Sequence, residues 1–475
     1  MVRARWWPAV IILVLGALSL AQAWLLGDTI RQYRVVQTIQ TTILVVLALL
    51  GWLLFASRLA RRVRLGGLAA VLLALGLLAA LFRVQGLSGD LVPILKARWS
   101  PREESAPTPM ALAPTVPPRA TPPAPRVADY PQFLGPNRDA TLDVVLERDW
   151  SAHPPRRLWR QRIGPGWSAF AVAGAVAVTQ VQRGPDELVV AYEVGNGKTL
   201  WSHSDRARYE TLVAGIGPRA TPTIVGSRVY TLGATGILNA LDLATGRRLW
   251  THRVVEEAGA KVPDWGKSCS PLVIGHRVVV SAGGSEGRSL VAYDAETGKE
   301  DWSAGSDRSS YSSPVLATLA GRAQILMFNH GSVAAHDPET GAVLWEAPWS
   351  TEQPNVANPL PLPGDRVLLS AGYGVGAKLF RVEPREDGAS KRASSGRAPA
   401  SSRSSRTWWR MAASSTGSTT GSSPASTPKP GSAVGRPGAT ATARSSFCPI
   451  RTYCWLCRRK GNWFLSGRLR TNSRS

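Results

Sequence analysis

The pattern of apolar and polar positions changes character along the chain. Near the N-terminus, three apolar runs without a charged residue cover residues 6–26, 39–56 and 65–82. Each run approaches the roughly 20 residues that an α-helix needs to cross the hydrocarbon core of a bilayer. After residue 128, short segments alternate between apolar and polar positions, which is typical of β-strands. The pattern therefore predicts three transmembrane helices followed by an all-β domain.

Basic residues beside the apolar runs predict how the helices are oriented. Arg3 and Arg5 precede the first run, and the loop between the second and third runs is richer in arginine than the loop between the first and second. The positive-inside rule then places the N-terminus in the cytoplasm and everything after Phe82 outside it. The predicted location is the bacterial inner membrane, with the bilayer as a partner and the β domain on the periplasmic side.

Composition predicts four segments. Residues 1–97 form the membrane domain, and residues 98–128 form a proline-rich linker. Such a linker favours a semi-rigid extended spacer, and a motif for a proline-recognition domain is the alternative. Residues 129–388 form the β domain, and residues 389–475 form a basic low-complexity tail.

A phrase ending in tryptophan occurs four times in the β domain, at residues 191–201, 240–250, 292–302 and 335–345. In each copy an acidic residue caps a turn, a glycine supplies the positive φ that such a turn requires, and a strand with the tryptophan follows. The tryptophans recur after 49, 52 and 43 residues, a period typical of the four-stranded blades of a β-propeller. The residues predicted to build the blades are Gly197, Trp201, Asp242, Gly246, Trp250, Asp294, Gly298, Trp302, Asp337, Gly341 and Trp345.

Two further features belong to the repeat. A polar residue followed by proline opens each unit, at Thr221-Pro222, Ser270-Pro271, Ser313-Pro314 and Asn358-Pro359. The domain itself begins with PQFLGPNRDA, and Trp159 then lies in a context like that of the blade tryptophans although no unit precedes it. We expect the strand around Trp159 to complete the last blade, because closing the ring removes exposed sheet edges.

The AxDxxTGxxxW phrase, the Thr/Ser-Pro starts and the FLGPNRD opening resemble the pyrroloquinoline-quinone-like (PQQ-like) β-propeller repeat family over residues 129–388. The resemblance implies an all-β propeller in which Trp201, Trp250, Trp302 and Trp345 pack between blades. The family includes quinoprotein dehydrogenases and non-catalytic BamB-type outer-membrane assembly factors. The resemblance therefore implies a fold more than an activity.

The leading hypothesis is a membrane-anchored, non-catalytic scaffold that binds a protein partner on a propeller face, without cofactor, metal or nucleic acid. The alternative is a membrane-bound dehydrogenase of sugars or alcohols that uses PQQ and calcium. In the family, the enzymes hold their quinone with a calcium ion, a vicinal cysteine pair and a catalytic aspartate. This sequence has no adjacent cysteines, and Asp264 beside Trp265 does not match the family's catalytic motif. We therefore predict no catalytic, cofactor-binding or metal-binding residue.

The formal net charge of +24 comes mostly from the C-terminal tail. Residues 389–475 contain 16 Lys and Arg and no Asp or Glu, which is typical of a disordered tail that binds nucleic acid or anionic lipid. A shifted reading frame is the alternative that we favour. A shift by one base permits Asp-Pro-Glu-Thr-Gly at residues 427–431 and tryptophan at Gly435, 90 residues after Trp345. Resequencing near codon 389 tests this hypothesis, since an intact frame there refutes it.

A frameshift would have a physical consequence for the propeller. About four and a half blades precede residue 389, whereas a closed ring would need about seven. An incomplete ring exposes strand edges and the apolar faces between blades. We therefore expect the chain as written to be prone to aggregation, and a soluble, cooperatively melting fragment of residues 129–475 would contradict this expectation.

Overall fold

A computed structural model describes residues 5–27, 31–88, 91–100, 129–349 and 353–384, and the backbone of residues 390–397, 456–459 and 462–465. The proline-rich linker of residues 101–128 and most of the tail lie outside the described residues. Helices occupy the N-terminal part, and five four-stranded antiparallel sheets follow. The predicted fold class, a β-propeller preceded by three apolar helices, is confirmed.

Three long apolar helices precede the sheets. They are α1 (Trp7–Ala21), α2 (Arg31–Gly51) and α3 (Arg61–Leu81), and the first two continue as π-helical turns over Gln22–Leu26 and Trp52–Ala56. With those turns they contain 20, 26 and 21 residues, which is long enough to cross a membrane. α2 and α3 begin before the apolar runs predicted at residues 39 and 65, because an apolar run marks the lipid-facing part of a helix and not its polar end.

A β-hairpin follows α3 without a break. Its strands are β1 (Phe82–Leu87) and β2 (Pro93–Ala97). The backbone N–H of Arg98 donates to the carbonyl of Leu81 (2.9 Å), and the Arg98 side chain donates to the carbonyl of Ala79 (2.8 Å). These bonds fasten the base of the hairpin to the end of the helix.

Each of the five blades is an up-and-down sheet. Blade one contains β3 (Ala171–Ala173), β4 (Val176–Arg183), β5 (Asp186–Glu193) and β6 (Thr199–Asp205). A short pair, β7 (Glu210–Thr211) and β8 (Gly215–Ile216), precedes blade two, which contains β9 (Thr223–Val225), β10 (Arg228–Leu232), β11 (Ile237–Asp242) and β12 (Arg248–Arg253). The short helix α4 (Val254–Glu257) precedes blade three, which contains β13 (Leu272–Ile274), β14 (Arg277–Ser281), β15 (Leu290–Asp294) and β16 (Glu300–Ala304).

The last two blades have the same strand order. Blade four contains β17 (Val315–Leu319), β18 (Arg322–Phe328), β19 (Ser332–His336) and β20 (Val343–Pro348). Blade five contains β21 (Leu360–Leu362), β22 (Arg366–Ala371), β23 (Gly376–Pro384) and β24 (Ser390–Arg397). Further along the tail, the backbones of β25 (Leu456–Arg459) and β26 (Asn462–Leu465) pair with each other.

This topology gives the propeller two different faces. Turns between the third and fourth strands of each blade lie on one face, which we call the turn face. Connections from each outer strand to the next inner strand lie on the opposite face, which we call the loop face. The first three of these connections are residues 206–222, 254–271 and 305–314.

The repeated phrase builds the turn face. Asp242 accepts hydrogen bonds from the Thr245 backbone N–H (2.9 Å) and hydroxyl (2.7 Å), and Asp294 and Asp337 bond Thr297 and Thr340 in the same way. Gly197, Gly246, Gly298 and Gly341 have φ between +71° and +76°. Each tryptophan then lies opposite a buried alanine of the third strand, as Trp250 lies opposite Ala240.

The first three of these tryptophans also reach the turn of the next blade. The Trp201 indole N–H donates to the Leu243 carbonyl (2.8 Å), and a Cβ atom added to Gly246 would lie 2.4 Å from the Trp201 ring. Trp250 and Trp302 make the equivalent contacts with the turns of Gly298 and Gly341. We call this unit, an indole ring packed on the turn glycine of the following blade and bonded to a turn carbonyl, the clip.

A clip also precedes blade one, whereas the tryptophan of blade four makes a different contact. Trp159 donates to the Val194 carbonyl (2.7 Å) and packs against Gly197, although the segment around Trp159 belongs to none of the described sheets. This segment therefore occupies the place of an outer strand for a preceding blade. Trp345 instead donates to Gln324 of its own blade (2.7 Å).

The outer strand of blade five lies in the segment predicted to be tail. Its residues 390–397 pair with β23 through a register shift between Leu379 and Arg381. Backbone hydrogen bonds form such a strand whatever the side chains are, and the sequence SKRASSGR contains no tryptophan for a clip. The frameshift hypothesis concerns residues that lie mostly outside those described, and it stays a prediction.

Candidate functional site on the loop face

The predicted blade residues and the residue pair Asp264-Trp265 lie at opposite ends of the propeller. The Asp, Gly and Trp residues of the repeat lie at or beside the turn face, where they shape turns and form the clips between blades. Asp264 and Trp265 lie on the loop face, in the connection between blades two and three. The loop face is therefore free of the residues that build the clips, and it carries the candidate binding residues.

Hydrogen bonds join the starts of four inner strands near the axis of the propeller. The Thr221 backbone N–H donates to the Ser270 hydroxyl (3.0 Å), and the Ser270 N–H donates to the Ser313 hydroxyl (2.9 Å). The Ser313 N–H donates in turn to the Asn358 side-chain oxygen (2.9 Å). These residues, which we call the axial belt, explain the polar residue before each proline, because its side chain accepts the N–H of the preceding blade's equivalent residue.

Arg138 reinforces the axial belt from the N-terminal segment. Its guanidinium donates to the carbonyls of Ser270, Pro271 and Pro314, each at 3.0 Å. The side chain is 6% exposed, and this burial lowers the pKa of Arg138 to about 10. One arginine from the FLGPNRD opening thus connects blades three and four.

Aromatic side chains from three successive connections gather on the loop face. The Trp265 ring meets the Tyr311 ring edge-on with centroids 5.6 Å apart, and the Tyr209 hydroxyl donates to the Asp264 carbonyl. The Arg219 guanidinium lies over the Tyr209 ring, 4.7 Å from its centroid. All four side chains, Tyr209, Arg219, Trp265 and Tyr311, are half-buried, and we call this group the mouth.

The charged group of the mouth is held by the backbone. Arg219 donates to the carbonyl of Ala214 (2.7 Å) and also to that of Gly217. Burial lowers the pKa of Arg219 to about 10 and raises the pKa of Tyr311 to about 12. At neutral pH the mouth therefore presents one cation among neutral phenols, with Asp264 exposed at its edge.

Two buried ionisable groups support the connections behind the mouth. Lys267 donates to the Ser281 carbonyl and the Ser309 hydroxyl, both at 2.5 Å, and its burial lowers the pKa of the ammonium to about 8. Glu187 accepts the backbone N–H of Ala234 (3.2 Å), and its burial raises the pKa of the carboxyl to about 7. Lys267 thus links two neighbouring connections of the loop face, and Glu187 links blade one to the turn between β10 and β11 of blade two.

The other candidate site on this side is a cavity of about 220 Å³ between blades one and two. Its charged lining residues already have partners, since Arg206 lies 3.5 Å from Asp186 and Arg253 lies 3.1 Å from Glu256. Among the described residues, no three His, Cys, Asp or Glu side chains come together as metal ligands. The mouth is therefore the better candidate for a binding surface.

Sequence reasoning singled out Asp264-Trp265 but missed the other residues of the mouth. Tyr209, Arg219 and Tyr311 lie in connections whose sequences do not repeat, so no periodic signal marks them. Arg138 lay inside a segment that the sequence did single out, but its partners are 132 to 176 residues away along the chain. Only the three-dimensional ring brings these groups together.

Parts of the chain are similar to parts of solved structures. BamB from Moraxella catarrhalis is 20% identical with a TM-score of 0.34, and the match covers 48% of this chain and 63% of BamB. Quinohemoprotein alcohol dehydrogenase from Comamonas testosteroni is 14% identical with a TM-score of 0.37, covering 58% of this chain and 50% of the enzyme. The chain thus matches between half and two thirds of the length of each. No curated protein matches the chain.

A family match gives the assignment. The sequence model of the family described as outer membrane protein assembly factor BamB matches residues 149–262 and 185–398. Together these matches run from residue 149 to residue 398, just over half of the 475 residues. They contain the four repeated phrases, all five sheets and the mouth. The chain belongs to the BamB-like, PQQ-like β-propeller repeat family.

Proposed function

We propose that this protein is a non-catalytic scaffold, anchored in the bacterial inner membrane, whose periplasmic propeller binds a protein partner through the mouth. One observation carries the proposal. The mouth is a half-buried cluster of two tyrosines, one tryptophan and one arginine in mutual contact on the loop face. Tyrosine, tryptophan and arginine are the residues that most often dominate the energy of protein–protein interfaces.

Pre-organisation strengthens this interpretation. Hydrogen bonds to backbone carbonyls hold Tyr209 and Arg219, and an edge-on ring contact holds Trp265 against Tyr311. Fewer side chains then lose rotamer freedom when a partner binds, and that lost freedom opposes association. The membrane helices supply an anchor, so the partner is held near the membrane.

The residues present do not fit the quinone–calcium pair of the family's enzymes. Cys269, the sole cysteine of the propeller, is fully buried and has no cysteine beside it in the sequence. The Asp264 carboxylate is exposed in a loop. The Tyr209 hydroxyl donates its hydrogen bond to the backbone carbonyl of Asp264 and not to the carboxylate. These features support the scaffold over the dehydrogenase.

A photo-crosslinking amino acid placed at residue 265 tests the scaffold. In cells that produce the full chain, we expect a protein adduct at residue 265, because this side chain lies in the mouth. Val343, 44% exposed beside the turn face, is the matched control position and should give no such adduct. In addition, Tyr311→Ala should weaken the adduct at residue 265 by about tenfold or more, since truncating a residue that dominates an interface costs about 2 kcal/mol or more.

Two outcomes would contradict the scaffold. Equal adduct yields at residues 265 and 343 would mean that the contacts are random. An adduct at residue 265 that is unaffected by Tyr311→Ala would mean that the aromatic cluster does not form the binding surface.

A further inference from the structure

The hairpin that follows the third membrane helix has one apolar side. Phe82, Val84 and Leu95 lie on one face of the two-stranded sheet, since Val84 lies opposite Leu95 in the register, whereas Arg83 lies opposite Lys96 on the other face. All three apolar side chains are exposed. An amphipathic element that leaves the end of a spanning helix lies where hydrocarbon meets lipid headgroups.

The tip of this hairpin contacts the loop face of the propeller. The Leu87 backbone N–H donates to the Leu212 carbonyl (3.1 Å), and a Cβ atom added to Gly86 would lie 3.5 Å from the same oxygen. Leu212 lies in the connection between β7 and β8, which belongs to the loop between blades one and two. The membrane-proximal hairpin is thereby joined to the same face that carries the mouth.

The propeller surface beside that contact is apolar. Leu212, Val213 and Trp167 are 55%, 41% and 63% exposed, and the Trp167 ring lies beside Gly215 of β8. Aliphatic side chains with a neighbouring tryptophan are typical of a surface at the membrane–water interface, where an indole ring finds both apolar and polar surroundings. We call these three residues, with the apolar side of the hairpin, the apolar rim.

We propose that the apolar rim rests on the outer leaflet of the bilayer, so that the loop face of the propeller faces the membrane. Lipid is the expected partner of the apolar rim, because β1 begins at Phe82 directly after the last residue of the spanning helix α3. The apolar side of the hairpin therefore begins at the end of a spanning helix, and the hairpin contacts Leu212 through the backbone N–H of Leu87. The mouth then opens beside the membrane surface.

Photo-labelling by lipid tests this arrangement on the full chain. The protein is reconstituted in vesicles of phosphatidylcholine and phosphatidylglycerol that contain a phospholipid with a diazirine on its acyl chain, and adducts are mapped by mass spectrometry. We expect adducts in residues 82–97 and 206–219 as well as in the three helices. Leu212→Ser combined with Val213→Ser should lower the yield in residues 206–219 by about tenfold, because both apolar anchors are removed.

One control variant and one further variant show whether the change in labelling depends on lipid contact at the apolar rim. Val225→Ser replaces a side chain that is 46% exposed near the turn face, and it should leave the yield in residues 206–219 unchanged. Trp167→Gln leaves Leu212 and Val213 in place, and it should still lower the adduct yield in residues 206–219. Adducts confined to the three helices and the hairpin would overturn the proposal, as would equal labelling of residues 206–219 in the wild type and the double variant.

Discussion

Replacing Gly246 by alanine is expected to lower the free energy of unfolding of the propeller by about 3 kcal/mol. The φ of this residue is +71°, and an alanine in that conformation is strained by about 1 kcal/mol. In addition, the new Cβ would lie 2.4 Å from the Trp201 ring, so the indole must move. Overpacking of this kind typically adds 1–3 kcal/mol, and it disturbs the hydrogen bond from Trp201 to Leu243.

The matched control is Gly226→Ala. Gly226 also has a positive φ, of +57°, but no atom lies within 4 Å of an added Cβ. We expect this variant to lose only about 1 kcal/mol, the strain of the backbone alone. Denaturant unfolding of the full chain in detergent, followed by tryptophan fluorescence, measures both variants. Equal losses would show that the clip between Trp201 and Gly246 does not stabilise the ring.

Replacing Arg138 by methionine is expected to destabilise the propeller by about 3 kcal/mol. Methionine fills a similar volume but removes the hydrogen bonds that Arg138 donates to the carbonyls of Ser270 and Pro314. The Ser270 carbonyl then keeps only the weak bond from the Cys269 thiol (3.9 Å), and a buried acceptor that lacks a good partner typically costs 1–3 kcal/mol. The Pro271 carbonyl keeps its bond from the Thr223 hydroxyl (2.6 Å). The loss should therefore come from two carbonyls on two blades.

Removal of the arginine also removes the desolvation penalty of a buried cation. This penalty opposes the expected loss, since burial lowers the pKa of Arg138 to about 10. Denaturant unfolding decides which effect is larger, with the exposed Arg148→Met as a control that should change stability by less than about 0.5 kcal/mol. An Arg138→Met protein as stable as the wild type would mean that the desolvation penalty cancels the three hydrogen bonds.

The sequence predicted the parts of the fold that repeat. The Asp, Gly and Trp positions of the repeat, such as Asp242, Gly246 and Trp250, recur at constant spacing. Local turn geometry and strand alternation are enough to place these positions in one blade. The sequence could not show that Trp250 completes its clip on Ala295 and Gly298 of the next blade, because that contact depends on how two sheets pack. Similarly, the apolar runs located the helices but not their polar ends.

The candidate site was harder to predict because it lies in the connections. Trp265 stood out as a large aromatic residue in a loop, yet its neighbours Tyr209 and Tyr311 are 56 and 46 residues away in the sequence. Each neighbour comes from a different connection, and only ring geometry brings three connections to one axis. The polar residue before each proline, such as Ser270, was recognised as a repeat feature, but its place in the axial belt depended on the packing of neighbouring blades.

We propose that this propeller binds a partner without catalysing a reaction. The most direct test is dye reduction by the full chain supplied with PQQ and calcium, with sugars and alcohols as substrates. We predict no substrate-dependent reduction above that of the heat-denatured protein. A saturable, PQQ-dependent rate that is abolished by Asp264→Asn would contradict the account and identify the loop face as the active site of a dehydrogenase.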